Sequence, residues 1–321
     1  MSDQPALVDV IIAVWNGSAT VETAVRSALS EPEVNRVIVV DDRSTDGTPC
    51  VMRSLADELG DRIRFERMER NSGPAAARNR GLALSEAEWV SILDADDYFQ
   101  PGRIRILLDA SDGADFVADD HIQVMQEKDV QPSAARNFLL GIESPVTLDL
   151  ETFVAGNISQ KGRLRKEFGF LKPIMRRSFM ERHQLRYEEA LRLGEDFALY
   201  ARAIAAGAIF RVLPSKTYVS VIRPGSISGN HTKRDLESFR DSNRKLQQIP
   251  SLTDRERELI RRHYEAIDAK IQWLNVIEAV KARNVRALLS PFFIRWTTSV
   301  YLTVCLAEQL FVRSKKLVGL S

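Results

Sequence analysis

The chain has almost no cysteine: Cys50 and Cys305 are the only two in 321 residues. They lie far apart and outside any metal-ligand spacing. That excludes a disulfide framework or a zinc-type cluster and fits a reducing compartment, with the cytosol as the default. A long apolar run is also missing. Within the most apolar stretch, Pro291 to Val312, Arg295 and Glu308 bracket a run that falls short of the roughly 20 residues needed to cross a bilayer. Met1 to Val14 carries Asp3 and Asp9 and has neither the cationic start nor the longer apolar stretch of a signal peptide, so a secreted chain is not expected. Neither sign of charge is in excess: the formal net charge is +1, which gives no reason to expect a nucleic-acid partner. There is no dinucleotide G-x-G-x-x-G fingerprint, no phosphate-binding G-x-x-x-x-G-K-[ST] loop, no internal repeat and no low-complexity segment.

What is present, 44% hydrophobic and 28% charged residues, is the composition of an ordinary globular protein with a sizeable core. Val8 to Val14 is an apolar, β-branched run followed by Asn16-Gly17, after which Val21, Ala24, Val25, Ala28 and Leu29 recur at helical spacing. Arg36 to Val40 repeats the strand signal, and Val51, Met52, Leu55 and Leu59 the helical one. Ile63 to Met68 predicts a weaker strand, Ala75 to Leu84 a helix, and Trp89 to Leu93 another strand. This alternation implies an α/β fold whose mostly parallel, Rossmann-like sheet is flanked by helices and whose ligands sit beyond the carboxyl ends of the strands. From about Ser226 the strand signals stop. Thr253 with Glu256 predicts a capping box, and Ile260, Tyr264, Ile267, Ile271 and Leu274 form one apolar stripe. The stripe packs onto its own domain or forms a dimer seam, so an oligomer stays open.

Acidic residues gather where the strands end. Asp41-Asp42 follows a buried run and precedes Arg43-Ser44-Thr45-Asp46-Gly47-Thr48; a carboxylate there can accept from a base or ribose, or serve as a turn cap. Asp94-Ala95-Asp96-Asp97 ends the Trp89 strand. Three carboxylates so close repel one another unless a cation shares them, and hard oxygen ligands suit Mg2+ or Mn2+. Between them, Asn71-Ser72-Gly73-Pro74 leads into a helix carrying Arg78. That helix start and guanidinium can meet a diphosphate or a base carbonyl, or Arg78 can pair with a nearby aspartate.

The stretches Val10 to Asn16, Val39 to Thr48, Asn71 to Gly81 and Leu93 to Asp97 resemble, in order, the successive signatures of glycosyltransferase family 2, with its GT-A fold. The resemblance implies that Asp42 contacts uracil, that Asp94 lies near the ribose, and that Asp96 binds the metal on the donor diphosphate. Ala13, Asn16, Asp41, Asn71, Gly73 and Arg78 fall within the nucleotide-sugar site. Leu193-Gly194-Glu195-Asp196-Phe197 resembles the family's Glu-Asp motif, which makes Asp196 the general base and Glu195 its acidic neighbour; by the residues alone, both could be first-turn acids favouring the helix dipole. Arg223 and Ser226, in the Arg223 to Ser228 stretch, resemble a loop closing over the donor. His231 is a metal ligand, a phosphate contact or a solvated histidine. Gly156 to Lys172, with Lys161, Arg163, Arg165 and Lys166, is similar to an acceptor-side loop of succinoglycan-type glucosyltransferases, or is a solvated basic face.

The implied organisation is a GT-A catalytic domain over residues 1–228, with nucleotide-sugar binding in 1–120 and the acceptor side in 121–228, followed by a helical extension over 229–321. The implied activity is metal-dependent, inverting transfer of a sugar, glucose by this resemblance, from a UDP-sugar to a lipid-linked oligosaccharide acceptor for a cell-surface polysaccharide. It would take place at the inner face of the cytoplasmic membrane. The alternatives are a non-catalytic nucleotide-sugar-binding protein or scaffold of the same fold, and a nucleotidyltransferase. Residues 291–316, apolar with a basic end, form either a core helix or a peripheral contact with an anionic membrane surface.

Overall fold

The computed structural model describes residues 8–125, 136–137, 142–158, 167–222 and 231–317, without the side chains of 125, 136, 137 and 312–317. Arg223, Ser226, Lys161, Arg163, Arg165 and Lys166 lie outside the described residues. The chain divides into two compact units, Met1–Asn230 and His231–Ser321.

The first unit is built on a ten-stranded mixed sheet. Its strands are β1 (Val8–Val14), β2 (Val34–Asp41), β3 (Ile63–Arg67), β4 (Trp89–Ile92), β5 (Tyr98–Phe99), β6 (Phe116–Met125), β7 (Arg136–Asn137), β8 (Val146–Leu148), β9 (Ile174–Arg176) and β10 (Phe210–Ile222). The spatial order is β3-β2-β1-β4-β9-β6-β10-β5, with β7 beside β6 and β8 beside β10. The first four strands of that order are mutually parallel, as their β-α alternation requires. Beyond β4 the sheet becomes mixed: β9 runs antiparallel to both β4 and β6, while β10 and β6 are parallel. Several strands of this second half, β5, β7, β8 and β9, are only two or three residues long and leave little periodic signal in the sequence.

Among the described residues the helices of this unit are α1 (Val21–Leu29), α2 (Thr48–Leu59), α3 (Pro74–Leu84), α4 (Arg103–Asp109), α5 (Leu150–Gly156), α6 (Arg177–Arg182) and α7 (Glu195–Ala205). Every side chain of β1 except Ala13 is buried, so the strand reads as one apolar run rather than an alternation. Helix α3 approaches β1 closely because its inward face is small. Ala75, Ala76 and Ala77 are buried, and Gly81 sits over Ile11.

The second unit is helical: α8 (Lys233–Gln247), α9 (Asp254–Lys281), α10 (Val285–Leu289) and α11 (Trp296–Leu317). Thr253 and Glu256 cap α9 reciprocally, as the capping-box spacing predicts. Ile260, Ile267 and Ile271 are buried, and α9 packs against α8, α10 and α11 of its own unit. No helix among the described residues is long and apolar enough to cross a membrane.

A Cβ at Gly81 would collide with Ile11 Cγ2. Gly81→Ala is therefore expected to lower stability by about 1–3 kcal/mol, the usual cost of overpacking a filled interior. Urea unfolding of the two proteins measures the difference.

Candidate active site

At the carboxyl ends of β1 and β2 the connecting loops are tied together by polar groups. The Asp42 carboxylate accepts from the backbone N–H groups of Ser72 (2.7 Å) and Gly73 (2.8 Å), and its carbonyl accepts from Asn71 Nδ2. Gly73 stands at φ +93°, a conformation suited to glycine, as it opens α3. Asp41 accepts from the Ser44 N–H at 2.9 Å and pairs with Arg67 at 3.1 Å. The Asn16 N–H donates to Ser44 Oγ, and its side-chain oxygen accepts from the Thr45 N–H. Ala13 is half-buried at the end of β1, opposite Val40. Asp46 receives Thr48 and Ser18; burial works against its ionisation, but these bonds outweigh it and lower its pKa to about 2.

Deeper in the cleft, two buried cations hold three carboxylates from distant parts of the chain. Arg78 donates to Asp94 Oδ1 (2.8 Å), Glu195 Oε1 (2.8 Å) and, at 3.3 Å, Asp196 Oδ1. Lys172 Nζ reaches Asp196 Oδ2 at 2.7 Å and Asp94 Oδ2 at 3.0 Å. Burial lowers the pKa of both cations, yet the Asp196 and Asp94 carboxylates hold each above its ordinary value. In the same way Asp94, which burial would push up, is held well below the carboxylate range by Lys172 and Arg78. With three acids and two bases, the cluster keeps one negative charge in excess. Glu195 and Asp196 form the first turn of α7, capped by Gly194 at φ +74°, so they also meet the positive end of the helix. The buried ring of Tyr187 lies under Arg78, 5.4 Å from its guanidinium carbon.

The Asp94 to Asp97 run does not behave as one group. Asp94 is neutralised by protein cations. Asp97 is buried and accepts from the Tyr218 hydroxyl (2.7 Å) and the Val221 N–H (2.8 Å); its pKa is pushed up, by burial first and then by the charges of Asp94 and Asp96. Asp96 is exposed. The repulsion among the three carboxylates is relieved at Asp94 by Arg78 and Lys172. Arg78 is held in ion pairs with Asp94, Glu195 and Asp196. His231 belongs to the second unit, just before the α8 cap Thr232.

Sequence patterning singled out Lys172 only as the end of a basic segment. Its one local signal is a lone cation in the apolar run Phe168 to Met175. Its backbone is fixed by the fully buried Arg103, which donates to the Lys172 carbonyl (2.6 Å) and to Asp119 (2.8 Å). Arg103, Asp119, Tyr187 and Tyr218 carried no motif signal at all.

Lys172→Met leaves Asp94 and Asp196 with Arg78 alone, and removing one partner of a buried ion pair typically costs about 3–5 kcal/mol. Urea unfolding is expected to show a loss of that size. The Lys172→Met, Asp196→Asn double variant should lose less than the sum of its single variants, because the second change removes a charge that the first left uncompensated.

Residues 9–182 match the sequence model of Glycosyl transferase family 2. The chain is 43% identical to the succinoglycan biosynthesis protein ExoU of Rhizobium meliloti over 259 residues, 81% of this chain and 75% of that protein. It is 31% identical to the succinoglycan biosynthesis protein ExoO of the same organism over 296 residues, 89% and 82% of the two chains. Among solved structures, residues 1–349 of TarS from S. aureus, in complex with UDP-GlcNAc, align with a TM-score of 0.63 and 18% identity over 88% of this chain and 89% of that one, a likeness of fold. A helix-flanked mixed sheet with a helical C-terminal region, four motifs at its strand ends and these relatives agree: the chain belongs to glycosyltransferase family 2 and has the GT-A fold.

Proposed function

We propose that the protein is an inverting glycosyltransferase of exopolysaccharide biosynthesis that moves a sugar, glucose in this reading, from a UDP-sugar to a hydroxyl of a lipid-linked oligosaccharide. The observation that carries the reading is the cluster in which Arg78 and Lys172 hold Asp94, Glu195 and Asp196 together. The nearness of Asp196, read as the general base, to Asp94, read as a donor-site acid, supports the reading. Similarity to the succinoglycan proteins supports the pathway, and likeness to a fold that holds UDP-GlcNAc in TarS supports the donor class.

In this reading Asp42 shapes the uracil site by holding the Asn71 to Gly73 turn, and Ala13, Asn16 and Asp41 fix the loops around it. Asp94 faces the ribose. Arg223 and Ser226 close over the donor. An acceptor oxygen attacks the anomeric carbon from the face opposite UDP, so an α-linked donor gives a β-linkage. The carbon–oxygen bond to UDP breaks, the diphosphate takes the electron pair, and Asp196 takes the acceptor proton. A donor diphosphate beside Asp94 offers Arg78 and Lys172 a competing anion, which loosens their grip on Asp196 and opens one of its oxygens to the incoming hydroxyl.

The residues fit a divalent cation, Mn2+ or Mg2+, held by Asp96. Mg2+ is commonly held by one or two carboxylates, with water and substrate phosphate oxygens completing the shell. That donor set suits an exposed Asp96. When bound, the ion would neutralise charge on the departing diphosphate.

Two measurements test the reading. UDP release from a panel of nucleotide sugars is expected with UDP-glucose and not with GDP- or CMP-sugars; diphosphate release from UTP instead would make the protein a nucleotidyltransferase. Calorimetry with UDP is expected to show binding strengthened by Mn2+ in the parent and indifferent to Mn2+ in Asp96→Ala. Equal metal dependence in both proteins would remove Asp96 from the metal site.

A further inference from the structure

Ten of the fourteen large apolar side chains that stand exposed among the described residues fall between Val280 and Phe311 of the second unit. Phe293 and Trp296 are the most exposed of all, at 84% and 82%. A surface this apolar is not explained by the packing of the unit itself. Helix α11 buries Thr298 and Leu302 and packs on α9, while Trp296, Val300, Val304 and Phe311, at steps of four, four and seven, line the opposite side. Helix α10 and the turn at Ser290–Phe293 continue this exposed surface with Val285, Leu289 and Phe293.

The charge over the same stretch is mostly basic, with Glu308 near its end the one acid. From Ala279 to Ala307 there are four basic residues, Lys281, Arg283, Arg286 and Arg295, and no acid. Arg295 is used internally, against Asp268, whereas Lys281, Arg283 and Arg286 are exposed.

We infer that this α10 to α11 surface docks on an anionic lipid bilayer, its apolar side chains in the interface and its arginines on the phosphate headgroups. The combination of exposed aromatic and aliphatic residues with an excess of exposed cations is the chemistry of a helix lying in a membrane interface, where tryptophan is favoured. A second copy is the poorer occupant. A two-fold contact would set this surface against itself and bring like charges together. The surface is also wider than residues 291–316, because Val280, Val285, Arg283, Arg286 and Leu289 belong to it. The inference rests on the second unit alone and is independent of the transfer reaction.

The test is co-sedimentation of the full chain with vesicles of phosphatidylglycerol and phosphatidylethanolamine, against vesicles of phosphatidylcholine alone. Binding to the first, at least tenfold weaker to the second and weakened by salt, is the expected result. Phe293→Ser with Trp296→Ser should lose at least tenfold in vesicle binding with unchanged helix content, since both side chains stand in solvent and support no core. Arg283→Gln with Arg286→Gln should lose the preference for anionic vesicles while retaining circular dichroism and melting temperature. A parent that does not sediment with anionic vesicles overturns the inference. So does a stable dimer, seen by analytical ultracentrifugation, that the Phe293 and Trp296 changes dissociate; a second copy would then cover the face.

Discussion

The pairing of Arg78 and Lys172 with Asp94, Glu195 and Asp196 is the interaction on which the rest of the catalytic unit depends. Buried carboxylates persist as anions only when charge and hydrogen bonds meet them, and here neither cation alone would suffice. Arg78 comes from α3, Asp94 from the end of β4, Lys172 from the segment before β9, and Glu195 and Asp196 from the start of α7. Four pieces of chain, up to 118 residues apart, must therefore converge before the site is electrostatically tolerable. The parallel half of the sheet carries two of these pieces and the mixed half the other two, so the ion pairs join the halves at the cleft.

Around that centre, each element of the first hundred residues has a local reason for its place. Small residues bring α3 close to β1, and the Asp42 carboxylate ties the turn that opens α3. Together these aim Arg78 inward. From the other side, Arg103 fixes the Lys172 backbone and is itself held by Asp119, whose second oxygen accepts from the Thr217 N–H. A strongly polar site is thus assembled on rigid elements with few side chains left to adjust, which suits a reaction that must exclude water from the anomeric carbon.

Much of this was legible in the sequence, and the boundary is physical. The strands and helices from β1 to β4 announce themselves because buried parallel strands are apolar runs, α1 and α2 are amphipathic and α3 is alanine-rich; each begins and ends within a few residues of its pattern. The capped start of α9 was visible for the same reason, since Thr253 and Glu256 act on neighbouring backbone. The mixed half of the sheet was not, because strands of two or three residues such as β5, β8 and β9 carry no period. Asp94 and Arg78 stood out as residue types, but a sequence does not show which carboxylate receives which cation. Nor could local spacing reveal that Lys172, far along the chain, supplies charge to Asp94.

The central claim is that Asp196 is the base and that the cations around it serve its position. Asp196→Asn tests this directly, because the amide nearly keeps the carboxylate's shape and leaves two carboxylates facing two cations, a balance the fold tolerates. UDP affinity by calorimetry and glycosyl transfer by UDP release, with acceptor present, are measured on the same preparation. The account predicts donor affinity close to that of the parent and a loss of transfer of about 10²–10⁴-fold, the usual contribution of a positioned base. Transfer within a few-fold of the parent would contradict it, and a collapse of UDP affinity would make Asp196 a structural residue of the donor site.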